Sequence, residues 1–164
     1  MWFRLRNFAL DYLIADVPAL SREERWRSIM ATLIGLLIAS ALAWFLPPPV
    51  GQRWLLAPIG ATAIILFALP HSPLAQPWSV FGGYFFAALS AALCSLILRD
   101  SPPLAAVFAV AMAVGLMTWL RCLHPPGGAL AFVLAFNPDN GPLHAVQSYI
   151  EVGLDAIFLM LAAL

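Results

Sequence analysis

The sequence predicts an all-α membrane protein: two long-short-long helical repeats, with about four full spanning helices and two short half-helices. Three observations carry this. The 164-residue chain is 63% hydrophobic and 10% charged, where a soluble domain carries ~25% charged residues. Its apolar residues fall into six segments separated by proline- and glycine-rich breaks. The stretch Arg121-Cys122-Leu123-His124-Pro125-Pro126-Gly127-Gly128-Ala129 also has an echo sixty-eight positions earlier. Arg53, Leu55, Pro58, Gly60, Ala61, Ala63, Leu66 and Pro70 match Arg121, Leu123, Pro126, Gly128, Ala129, Ala131, Leu134 and Pro138. Short hydrophobic segments interrupted by Gly and Pro at corresponding places in two halves point to a transporter's binding site.

Taken in order, residues 1–27 form the only substantial polar region. Phe3, Phe8, Leu10, Tyr12, Leu13 and Val17 alternate with Arg4, Arg6, Asp11 and Asp16, as in an amphipathic helix lying on a membrane. This region has no compact apolar core with a small-residue cleavage site, so no secretory leader is expected. Ser21 with Glu24 three residues later reads as a capping box opening the first span, and Trp26 suits an interfacial anchor. The remainder, 28–164, reads as one membrane domain, with repeat one at 28–98 and repeat two at 103–164.

Four apolar segments are long: 29–46, 80–98, 104–120 and 143–164. Two are short, 58–69 and 126–136, and each begins on a proline, which suits the first turn of a helix. Crossing a bilayer takes roughly 20 helical residues, so these two reach about half way. They read as half-helices, either re-entrant or part of a broken span. The alternative is that each extends backward through Leu55 or Leu123 into a thin, tilted full span.

All eight basic residues are arginine, and five precede the first span, which predicts a cytoplasmic N-terminus in a multi-pass inner or plasma membrane protein. Arg99 lies inside for four spans plus two re-entrant helices and outside for six spans. The formal net charge is zero, which argues against a nucleic-acid partner. Cys94 and Cys122 are isolated and read as small buried hydrophobes. No cofactor, metal or catalytic spacing is evident, so no enzyme is expected.

The prolines and glycines at 125–128 are where chemistry is expected. A helix N-terminus has amides without internal partners and about half a positive charge from its dipole. Such an end attracts anions, and Arg121 and His124 stand beside it. Arg53 with Pro58-Ile59-Gly60-Ala61-Thr62 offers a second such end. The plainer reading is that Gly127, Gly128, Gly60 and Ala61 allow tight helix packing, and the spacing predicts that Gly60 and Gly128 approach each other or a neighbouring backbone closely. His71, Ser72 and Gln76 sit in a proline-framed loop and either line a pathway or cover the surface. His144 reads as interfacial. Glu151 and Asp155 share one face of the last span, as partners of Arg53, Arg99 or Arg121 or as a proton relay.

His124-Pro125-Pro126 followed by Gly127-Gly128-Ala129 resembles the signature of the HPP family of integral membrane proteins. Gly60-Ala61-Thr62-Ala63, the loop His71-Ser72-Pro73-Leu74-Ala75-Gln76-Pro77 and Gly82-Gly83 resemble its second hallmark. The resemblance covers roughly 27–164 and implies about four spanning helices, and plant and cyanobacterial relatives are associated with nitrite transport. The expected function is transport of a small inorganic anion such as nitrite. The expected substrate-binding residues are Arg121, His124, Pro125, Pro126, Gly127, Gly128, Arg53, Gly60, Ala61, Thr62, His71, Ser72 and Gln76. The expected partners are the lipid bilayer, the anion and a second copy of the chain. The alternatives are a non-transporting scaffold or regulatory module, and an intramembrane enzyme.

Overall fold

The computed structural model describes residues 20–45, 56–137 and 142–163; the amphipathic segment before residue 20, and Arg53, lie outside them. Six helices run through the described residues, which contain no strand: α1 Arg22–Phe45, α2 Leu56–Ala68, α3 Pro77–Ile97, α4 Pro102–Trp119, α5 Pro125–Phe136 and α6 Pro142–Ala163. A 3-10 turn at Pro73–Ala75 precedes α3. The capping box forms as expected. The Ser21 amide donates to Glu24 Oε2 at 2.7 Å, and the Glu24 amide donates to Ser21 Oγ at 3.2 Å. α1 therefore starts at Arg22, and the last six residues of the polar N-terminal segment already belong to it.

Prolines set most of the other starts. α3, α4, α5 and α6 each open on one, where the fixed φ is helical and the missing N–H would have had no partner. α2 begins at Leu56, so Pro58 sits in its first turn rather than at its first residue. The short helices are short: α2 has 13 residues and α5 has 12, against 24, 21, 18 and 22 for α1, α3, α4 and α6. At ~1.5 Å per residue, α2 and α5 reach roughly 20 Å, less than a bilayer core of ~30 Å. Three described helices are long and apolar enough to cross a membrane: Pro77–Ile97, Pro102–Trp119 and Leu143–Ala163.

α3 is the central helix and packs on α4, α5 and α6. α5 packs on α3 and α4, while α2 packs on α1, α5 and α6. Each short helix thus touches the long helix before it and the last long helix of the other half. The inner faces of α3 and α4 are small: Ala87, Ala88 and Ala91 on one, Ala105, Ala106, Ala109 and Ala113 on the other, all buried. Lipid tails are as apolar as leucine, so association in a bilayer depends on close van der Waals packing, which small residues allow. Large side chains point outward, among them Leu33, Leu37, Leu104, Phe108, Ile150 and Leu161. Such a surface suits hydrocarbon.

The closest approaches correct the glycine expectation. Among the described residues, a Cβ on Gly60 would meet nothing within 4 Å, and one on Gly128 would only graze Val110 at 4.0 Å. The tight contacts fall at Gly82, Gly83 and Gly127 instead, and at Gly35 against the side chains of Leu159 and Phe67. A Cβ on Gly127 would stand 2.9 Å from the Gly83 carbonyl oxygen, and one on Gly82 would stand 2.9 Å from Cys122 Cβ. The repeat marks equivalent positions in α2 and α5, but α5 presses its Gly127 face, one residue away, onto α3.

Candidate functional site

The chain reaches the site by turning sharply after α4. Arg121 has φ +55°, the left-handed region that glycine favours. Its amide donates to the Thr118 carbonyl at 3.4 Å, and the Cys122 amide donates to the Met117 carbonyl at 2.9 Å. This is the bond pair of a Schellman helix end, with arginine where glycine is usual. An L-residue there costs about 1–2 kcal/mol. The turn buries Cys122 and places His124 as the N-cap of α5, while the Arg121 side chain is exposed.

His124 is fully buried and held at both ring nitrogens. Nδ1 lies 3.2 Å from the Leu74 carbonyl oxygen, which can only accept, so Nδ1 carries a proton. Nε2 lies 2.9 Å from Thr62 Oγ1 of α2. Thr62 Oγ1 in turn lies 2.6 Å from the Tyr84 hydroxyl of α3, and the Tyr84 hydroxyl donates to the Pro58 carbonyl at 3.1 Å. The Thr62 hydroxyl also lies 3.2 Å from that carbonyl. The Tyr84 and His124 rings meet edge to face with centroids 5.1 Å apart. The N-terminal turns of both short helices, the 3-10 turn and the central helix therefore converge on one buried polar junction.

Two proton arrangements fit the same heavy atoms. With neutral imidazole, Thr62 donates to Nε2 and Tyr84 donates toward Thr62 and Pro58. With imidazolium, Nε2–H donates to Thr62, whose own proton turns to the Pro58 carbonyl. The junction needs no side-chain movement to pass between them.

The end of α5 offers fewer amide donors than its sequence suggests. Pro125 and Pro126 have no N–H, and the Gly127 amide already donates to the His124 carbonyl at 2.9 Å. What faces α2 is the His124 ring. Pro126 and Gly127 are buried, Gly128, Gly60 and Ala61 are half-buried, and Pro125 is exposed. The loop at 71–76 enters the junction through a backbone atom, the Leu74 carbonyl. His71 and Gln76 are exposed, and Ser72 Oγ caps the 3-10 turn by accepting from the Leu74 amide at 3.2 Å. Thr62 and His124 are thus brought together, whereas Arg121, His71 and Gln76 point away to the exterior.

Sequence reasoning missed Tyr84. The available signal was a tyrosine inside an apolar span, directly after Gly82-Gly83, since a buried phenol needs a hydrogen-bond partner. It missed the backbone role of Arg121 as well. Glu151 and Asp155 are buried on α6.

An apolar helical bundle with hydrogen-bonded polar groups at its centre is the architecture of an integral membrane protein. The comparisons define it further. The family described as HPP, transmembrane region, matches residues 17–164, and the chain belongs to that family. Two curated transmembrane proteins of Dictyostelium discoideum are similar. One is 26% identical over 150 residues, covering 90% of this chain and 53% of its own length. The other is 26% identical over 145 residues, covering 87% and 47%. The chain therefore spans about half the length of these relatives. No solved structure matches it significantly.

Proposed function

We propose that this chain is the membrane unit of a transporter for a small inorganic anion such as nitrite. The observation that carries the reading is the fully buried His124–Thr62–Tyr84 junction between the two short helices. Polar and ionisable groups are costly within a membrane and mark substrate or proton pathways. The pattern of helix contacts supports a two-repeat organisation, because each short helix packs on the corresponding pair of long helices. α1, with 24 residues, supplies the fourth span. Arg121 meets the anion at the exposed turn, and His124 senses its arrival from below. The same junction favours a second reading, a non-transporting scaffold, because it is packed and internally satisfied.

Uptake of nitrite into liposomes containing the purified protein separates the two. Uptake above that of protein-free liposomes is expected. Arg121→Gln should weaken apparent affinity by about tenfold, the ~1.4 kcal/mol scale of one charge-assisted contact. Arg121→Gly removes the same charge while relieving the left-handed turn, so it should leave folding intact and weaken affinity as Arg121→Gln does. His124→Gln should change the pH profile of uptake. No uptake by the unaltered protein leaves the scaffold reading standing.

The same reading takes the N-terminus as cytoplasmic, because five of the eight arginines precede the first span, and the protein as one of the inner or plasma membrane. A cysteine introduced at Asn7 should react with an impermeant maleimide only from the cytoplasmic face. Background is low because Cys94 and Cys122 are buried. Reaction from outside reverses the topology.

A further inference from the structure

We propose that Asp155, with Glu151 and Ser148 on one buried stripe of α6, forms a proton-binding site. Ser148, Glu151 and Asp155 are 1%, 3% and 6% exposed. They are three and four residues apart, so successive helical turns stack them along one face. Such a group of acids has no worth as a site on position alone. The independent observation is Ser148. Its hydroxyl is buried and has no hydrogen-bond partner among the described residues, although buried polar groups almost always find one. An open hydrogen-bonding position beside two buried carboxylates suits a carboxyl group that gains and loses a proton. A metal ion would need several more oxygen ligands around it.

Among the described residues the surroundings are otherwise poor in charge. α3, which packs on α6, carries Tyr84 and Cys94 as its titratable groups. α2 carries no titratable group over Leu56–Ala68. The charges of α1 are confined to Arg22, Glu23, Glu24, Arg25 and Arg27 at its first turns. α6 itself adds His144 and Tyr149. α6 packs on α3, whose Tyr84 bonds Thr62, which bonds His124. That places a coupling proton beside the substrate junction. This last point rests on the transport reading; the proton site itself does not.

Infrared difference spectroscopy of the purified protein decides the matter, because the C=O stretch of a protonated carboxyl stands apart from carboxylate bands. The unaltered protein should show a buried carboxyl band that appears and disappears reversibly with pH. Asp155→Asn should abolish it. Absence of a titrating band in the unaltered protein, or its full survival in Asp155→Asn, overturns the proposal. If Asp155→Asn does not fold, Ser148→Ala keeps both carboxylates and must shift the frequency or midpoint of the band; an unchanged band there also overturns it. Failure of nitrite uptake with the band intact removes the transport reading alone. Uptake without a titrating band removes the proton site alone.

Discussion

A Gly83→Val variant is expected to yield little or no stably folded protein. A Cβ on Gly83 would overlap His124 Cβ and stand 3.3 Å from the Cys122 carbonyl oxygen. Both obstacles belong to the main chain or to its first side-chain atom, so no rotamer change relieves them. Overpacking of a core typically costs 1–3 kcal/mol, and an obstacle this rigid puts the loss at about 3 kcal/mol or more. The comparison is Gly60→Val, where a Cβ meets nothing within 4 Å among the described residues. Yield of monodisperse protein and thermal midpoint in detergent measure both. Equal behaviour of the two variants would show that α3 does not press on the segment before α5 as described.

Thr62→Val is expected to be the most damaging isosteric change. Valine keeps the shape and removes the oxygen that lies within hydrogen-bond distance of His124 Nε2, the Tyr84 hydroxyl and the Pro58 carbonyl. His124 Nε2 then has no acceptor role to fulfil in a buried setting, at a cost of about 1–3 kcal/mol. Thr62→Ser should recover most of this. Tyr84→Phe should cost less than Thr62→Val, and the double variant less than the sum of the two. Groups sharing one network couple by about 0.5–3 kcal/mol. Strict additivity in the thermal midpoints would mean that the three side chains do not form one network.

These residues show what was legible in the sequence. The start of α1 was, because the Ser21–Glu24 pair acts through local backbone geometry, whereas α3, α4 and α5 open on prolines at 77, 102 and 125, one to three residues before the apolar segments that begin at 80, 104 and 126. The shortness of α2 and α5 was legible from the breaks around them. His124 and Thr62 were each singled out for a local reason, yet nothing local says that residues sixty-two positions apart share a hydrogen bond. That depends on how α2 leans on α5. The glycine expectation failed for a related reason. Equivalence between repeats identifies positions, whereas contact depends on which side of a helix is turned inward. Arg121 was legible as a charge and illegible as a left-handed turn, since that conformation ordinarily announces itself by glycine.

The interlock of Gly83 with Gly127 and His124 has a mechanical consequence. Where two backbones mesh without intervening side chains, there is nothing flexible to yield, and sliding by one turn would force carbonyl into Cα. α3, α4 and α5 therefore behave as a keyed block. Any parting of the bundle must run along the seams between this block and α1, α2 and α6. Thr62 and Asp155 stand on one bank of that seam, and Tyr84 and His124 stand on the other. A bundle that opens there breaks its central hydrogen bonds first and leaves its tightest packing untouched.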